Sequence, residues 1–161
     1  MLTDLELRHL ARAITLAHSA REHGNHPFGA IAVGPDGSIL AEAENTVVTS
    51  RDCTGHAELN LVRVLSTKYD QATLAGSSLY TSTEPCAMCA GAICWSGIGR
   101  VIFALSEEGL YAITGPDKAA DSVRLPCREL FARCGRTIAV EGPGLDEEAM
   151  RVHEGFWSAS A

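Results

Sequence analysis

Ser78-Leu79-Tyr80-Thr81-Ser82-Thr83-Glu84-Pro85-Cys86-Ala87-Met88-Cys89-Ala90 changes its periodicity part-way. Up to Thr83 it is rich in the aromatic and β-branched residues that suit a pleated strand. Pro85 then fits the entrance of a helix, where a missing N–H loses no hydrogen bond. A helical pattern runs on from Cys86 to Ser96, and Arg100-Val101-Ile102-Phe103-Ala104-Leu105 predicts the next strand. Strand, helix and strand in succession are the alternation of a sheet covered by helices.

The alternation extends in both directions. Phe28 to Gly34 and Ser38 to Asn45 are apolar runs around Pro35-Asp36-Gly37, which predicts a β-hairpin. Before it, Leu7, Leu10, Ala11, Ile14 and Ala17 recur at helical spacing between Thr3 and Glu22, and Thr3 with Glu6 makes a capping-box pattern. A second helix is predicted at His56 to Tyr69. Downstream come a helix around Cys127 to Cys134, a strand at Arg136 to Val140 and a last helix at Asp146 to Phe156, with Gly109 to Asp121 as the one long loop. The expected fold is α/β: a single domain over residues 1–161, with three α/β/α layers and a five-stranded mixed sheet covered by helices on both faces.

Composition agrees with this and excludes several classes. With 46% hydrophobic and 20% charged residues, the 161-residue chain has enough apolar side chain for a core and too little charge for disorder. Its apolar stretches fall far below the ~20 residues that span a bilayer. The start, Met1-Leu2-Thr3-Asp4-Leu5-Glu6, is acidic where a signal peptide is basic, so a cytoplasmic protein is expected. The formal net charge is -7, and the 13 basic residues form no run, which disfavours a nucleic-acid partner.

Chemistry concentrates in His56-Ala57-Glu58 and in Cys86-Ala87-Met88-Cys89. Cys86 and Cys89 are three apart and share one face of a first helical turn, where the helix N-terminus favours thiolates. Such a pair alone also suits a redox couple. His56 completes a Cys₂His set with the fourth tetrahedral position open, the pattern of a catalytic zinc. Cys53 is the alternative fourth ligand of a structural zinc, whereas Cys94, Cys127 and Cys134 read as small buried apolar residues. Glu58, two residues from His56, diverges from it on a helix. It suits a proton carrier beside the metal, or simply a carboxylate at a helix N-terminus.

Together, His56-x-Glu58 and Pro85-Cys86-x-x-Cys89 resemble the signature of zinc-dependent cytidine-deaminase-like enzymes. Pro27-Phe28-Gly29-Ala30, Asn45, Leu79-Tyr80-Thr81 and Ala90-Gly91-Ala92-Ile93 resemble the branch of guanine, cytosine and tRNA adenosine deaminases. The resemblance implies one Zn²⁺ on His56, Cys86 and Cys89, with Glu58 as general acid/base. It also implies a ring pocket with Asn45 as hydrogen-bond partner, Phe28 and Trp95 at its borders and backbone contacts beside His56 at Ala57. In that chemistry hydroxide, formed from water activated by zinc, attacks the ring carbon bearing the amine, Glu58 shuttles the proton, and ammonia leaves.

The acidic C-terminus and net charge argue for a free nucleobase, guanine or a related amino-purine first. Cytosine is the alternative, then tRNA adenosine, and from another class a non-catalytic zinc-binding protein. Asp117 is the acidic residue that the guanine deaminase likeness assigns to the substrate amine, with Glu107 and Glu108 as alternatives. Phe156 and Trp157 are candidates for a lid, and the resemblance implies a homodimer.

Overall fold

Thr3 caps the first helix in the predicted way. Its hydroxyl accepts from the Glu6 backbone N–H at 3.3 Å, and the Glu6 carboxylate accepts from the Thr3 backbone N–H at 2.7 Å. Glu6 also meets Arg100 at 2.6 Å, and the Thr3 N–H with the Arg100 guanidinium holds its carboxyl down at about 2. The structure, a computed structural model, describes residues 1–115 and 122–157.

The strands are β1 (Gly29–Val33), β2 (Ile39–Glu44), β3 (Ser78–Thr83), β4 (Arg100–Leu105) and β5 (Ala139–Glu141). In chain order the helices are α1 (Asp4–Glu22), α2 (Val47–Ser50), α3 (Ala57–Lys68), α4 (Gln71–Ala75), α5 (Ala87–Ser96), α6 (Glu107–Thr114), α7 (Cys127–Phe131) and α8 (Asp146–Arg151). The sheet runs β2-β1-β3-β4-β5. β1 is antiparallel to both β2 and β3, while β3, β4 and β5 are parallel, so the five-stranded sheet is mixed as expected.

One face carries α1 and α8, with Leu10, Ile14, Ile31, Tyr80, Ile102 and Val152 packed together. The other carries α3, α5 and α7, with Leu61, Leu65, Leu79, Ile93, Phe103 and Phe131. Each buried large aliphatic side chain contributes ~1.5–3 kcal/mol before chain entropy is set against it. The layers therefore hold each other in place, and the strand ends between them are fixed.

Topology decides where a site can lie. Ala30 pairs with Thr81 across antiparallel strands, and Gly29 pairs with Glu44. The start of β1 therefore meets the ends of β2 and β3, and the parallel pairing puts the end of β4 beside them. Phe28, Asn45, Glu84 and Glu107 follow or precede these ends. Ligands of open α/β sheets bind beyond the carboxyl ends of strands where strand direction or order changes.

Gly29 is needed for α1 to lie on β1. A Cβ there would come within 2.5 Å of the Ala13 carbonyl oxygen and of Leu16 Cβ. Gly29→Ala is therefore expected to cost about 3 kcal/mol, measured by urea unfolding. A loss under about 1 kcal/mol would mean that α1 is not seated so closely.

Some elements differ from the sequence expectation. Residues 107–114, largely inside the predicted loop, form α6 because the Ser106 hydroxyl accepts from the Gly109 N–H at 3.0 Å. The last helix stops at Arg151 and continues as turns to Trp157. Cys94 and Cys134 form a disulfide, with Cα atoms 6.3 Å apart, rather than being separate apolar residues. The pairing arises because the turn after α7 folds against the C-terminal end of α5, where Arg136 donates to the carbonyls of Ile93, Cys94 and Ile98. Among the described residues, no helix is long and apolar enough to cross a membrane.

Candidate active site

His56 and Cys86 are the N-cap residues of α3 and α5. Both have extended backbone, which turns their side chains off the helix ends, and neither caps its helix with a side-chain hydrogen bond. Residues that would normally satisfy orphan N–H groups are thus released for another use. His56 Nδ1 lies 3.6 Å from Cys86 Sγ and 3.6 Å from Cys89 Sγ. Ligand atoms of all three residues fall within 4.8 Å of one another, the only such His/Cys/Asp/Glu group among the described residues.

These donors suit zinc: one imidazole, two thiols, and room for a fourth tetrahedral position. Contact with Cys89 outweighs burial and holds the Cys86 thiol at about 4, with His56 adding to the effect. Contact with Cys86 and a nearby Glu58 charge raise the His56 imidazole. Cys89 is fully buried, and Cys53 is exposed and outside the group.

Glu58 is buried on the first turn of α3. Burial first, and the Cys86 charge second, push its carboxyl above the usual range. The Thr81 hydroxyl lies 2.9 Å from Glu58 Oε1 and 3.0 Å from the Thr83 carbonyl oxygen. One hydroxyl can donate to the carboxylate, or donate to the carbonyl while accepting from the protonated acid. Thr81 therefore accommodates either protonation state.

His56, Glu58 and Cys86 open into a cavity of about 240 Å³ bordered by Phe28 and Trp157. Glu84, Glu107 and Tyr111 also line it, and no Lys or Arg does so among the described residues. Glu107 is buried and accepts from the Tyr111 hydroxyl at 2.8 Å; burial raises its carboxyl, and burial likewise raises the Tyr111 phenol to about 12. Glu84 accepts from the backbone N–H groups of Glu107 and Cys127, both at 3.0 Å, and so fixes the starts of α6 and α7.

The other predicted residues divide. Asn45 is buried at the end of β2; its Oδ1 accepts from the Val47 N–H, while Nδ2 has no partner among the described residues. Its own N–H donates to the carbonyl of Phe28, a residue of the cavity wall, although neither Asn45 nor Ala57 itself lines the cavity. Ala57 is buried as the first residue of α3, with an N–H that has no acceptor inside the helix. Trp95 is 90% exposed near the C-terminal end of α5 and does not border the cavity of its own chain, whose ligands occupy the opposite end of that helix. Asp117 lies outside the described residues. Of its alternatives, Glu107 lines the cavity and Glu108 is exposed.

Trp157 lines the cavity, and Phe156 packs edge-on against it at 4.8 Å. Thr81, Glu84 and His153 were not singled out from the sequence. Glu84 stands inside the Glu84-Pro85-Cys86 motif, but its partners lie 23 and 43 residues away.

The profile of the cytidine and deoxycytidylate deaminase zinc-binding region matches residues 4–105. The chain belongs to this family. It is a zinc-binding deaminase, a hydrolase acting on C–N bonds. It is 40% identical over 157 residues to a probable cytosine deaminase of Schizosaccharomyces pombe, covering 97% of this chain and 94% of that one. The solved structure of guanine deaminase from Bacillus subtilis is 33% identical with a TM-score of 0.62, covering 96% of this chain and 94% of that one. The guanine deaminase structure from Nitrosomonas europaea shares the fold at a TM-score of 0.78 and 21% identity, over 98% of this chain and 86% of that one.

Proposed function

We propose that the chain deaminates a free nucleobase by hydrolysis, with guanine or a related amino-purine as the leading substrate. The observation that carries this reading is the small cavity bordered by Phe28 and Trp157, which meets Glu58 and Glu107 and no Lys or Arg among its described lining. A flat uncharged ring stacks against aromatic walls. A nucleotide phosphate would meet carboxylates without an Arg or Lys to pair with. The likeness to guanine deaminases supports a purine, and the nearly full-length likeness to a probable cytosine deaminase supports cytosine as the second reading.

In this reading His56, Cys86 and Cys89 hold zinc, which supplies the electrostatic lowering of water's pKa toward neutrality. Glu58 takes one proton of the attacking water and gives it to a ring nitrogen, then takes the proton of the newly formed hydroxyl and gives it to the departing amine, so that a carbonyl and ammonia result. Thr81 follows Glu58 through both states. Asn45 Nδ2 and the Ala57 N–H are donors for ring acceptors, and Glu107 is an acceptor for ring N–H groups. Phe28 and Trp157 screen the ring from bulk water.

A tRNA substrate fits less well, because the net charge is -7 and Trp157 borders the cavity. A non-catalytic zinc protein would have no use for a buried carboxylate beside its ligands. The homodimer belongs to the same proposal, with exposed Trp95 and Met88 on α5 as surface for it to cover.

Ammonia release from guanine, cytosine, adenine, their nucleosides and a tRNA anticodon stem tests the reading. One free base is expected to exceed its nucleoside by about a hundredfold or more in kcat/KM. Release from the RNA alone would overturn the free-base substrate.

A further inference from the structure

We propose, resting on the same cavity, that His153 is a positioning residue that latches Trp157 over the site. His153 sits just beyond α8, is 1% exposed, and does not line the cavity. Its Nδ1 lies 3.2 Å from Trp157 Nε1. An indole N–H only donates, so Nδ1 is the acceptor and the imidazole is neutral with its proton on Nε2. The two rings lie nearly parallel, with an interplanar angle of 15° and centroids 6.0 Å apart, and His153 also packs 5.3 Å from Phe28, the adjoining border of the cavity, itself 6.2 Å from the indole. One buried imidazole thus touches both aromatic walls without touching the space between them.

The turn that carries Trp157 is fastened from α1 as well. Arg21 donates to the Val152 carbonyl at 2.7 Å, and its guanidinium lies 5.6 Å from the Phe156 ring centre. These contacts hold the turn, but only His153 sets the rotation of the indole through its N–H. Tied to His153, the indole N–H is withheld from the substrate, and Trp157 acts on the ring by stacking. The geometry therefore predicts an effect on substrate retention, not on the chemical step.

Protonation would break the latch, because Nδ1–H would then face the indole N–H donor to donor. Burial, with the Arg21 charge adding to it, holds His153 down at about 4. Arg21 is the charged group acting on it from α1, and His26 is the titratable neighbour across Trp157, 5.4 Å from the indole. The latched form binds no proton at His153 between an ordinary histidine pKa near 6.5 and about 4, whereas the unlatched form does. The latch is therefore whole at neutral pH and weakens as pH falls through that window.

The chain has two tryptophans, so Trp95→Phe leaves Trp157 as the sole reporter. In that background His153→Leu is expected to shift Trp157 emission to the red and raise KM about fivefold, with kcat within about twofold. His153→Asn keeps an acceptor where Nδ1 stands and is expected to hold KM within about twofold of the parent. Between pH 6.5 and 5 the parent should show red-shifting emission and a rise in KM beyond that of His153→Asn, whose emission should stay unmoved. In a Trp157→Phe protein, which keeps the aromatic wall but has no N–H, His153→Leu should change KM no further. That comparison stands even where His153→Leu lowers stability. Unchanged emission and KM in His153→Leu, or failure of His153→Asn to restore KM, would overturn the latch. Emission needs no substrate: if it follows His153 while no base is turned over, the latch stands and the nucleobase reading fails.

Discussion

Glu58→Gln is expected to keep one zinc per chain and to lose about a thousandfold in kcat. The substitution keeps the side-chain volume and an oxygen for the Thr81 hydroxyl, which lies 2.9 Å from Glu58 Oε1 in the parent. What it removes is the capacity to accept and return a proton. Burial and the neighbouring Cys86 charge favour the protonated carboxyl. A group balanced in this way can both take a proton from water and release it to a ring nitrogen or an amine, which a strong acid would do less well. Because Glu58 is not one of the three ligand residues, metal content should not change. Ammonia release, with zinc measured on the same samples, checks both halves. A kcat within tenfold of the parent, or an equal loss of zinc, would show that Glu58 is not the proton carrier.

The parts of this site that were legible in the sequence are those whose partners are near in sequence or whose spacing is itself the geometry. Cys86 and Cys89 share a helix turn, and Thr3 and Glu6 share a cap, so their relations follow from helix geometry alone. β4 was predicted at its observed bounds because its apolar run is continuous and buried. β5 begins at Ala139, later than the predicted Arg136, for a reason no local pattern carries. The Arg136 guanidinium is drawn to three carbonyls at the C-terminal end of α5, and pairing starts only where Ala139 meets Arg100. α2 and α4 are four and five residues long, too short to show a period.

Long-range capping and aromatic contacts stayed hidden for the same reason. Glu84 closes two helix starts that its neighbours in sequence do not foreshadow, and His153 falls inside the predicted last helix, which in the structure ends at Arg151. The Cys94–Cys134 pair is not legible in the sequence, because proximity depends on how the turn after α7 returns to α5. Trp95 is placed by likeness, and in this chain it stands exposed at the end of α5 away from the ligands.

Cys89→Ser should separate metal binding from proton transfer. Cys89 is fully buried, and its sulfur stands 3.6 Å from His56 Nδ1. Serine keeps the shape but offers a hydroxyl that does not ionise near neutrality, so zinc loses a thiolate and part of the charge that offsets its own. Zinc affinity is expected to fall at least about a hundredfold. Each tenfold loss removes about 1.4 kcal/mol of zinc-linked stability for as long as free zinc exceeds the variant's dissociation constant, so the melting temperature should fall along with activity. A chelator provides the control. It should lower the melting temperature of the parent and of Glu58→Gln by the same amount and that of Cys89→Ser by clearly less, because the variant has less zinc-linked stability to lose. If chelation destabilised Cys89→Ser as much as the parent, Cys89 would not be a ligand, and the open coordination position on which the hydrolytic reading depends would have to be sought elsewhere.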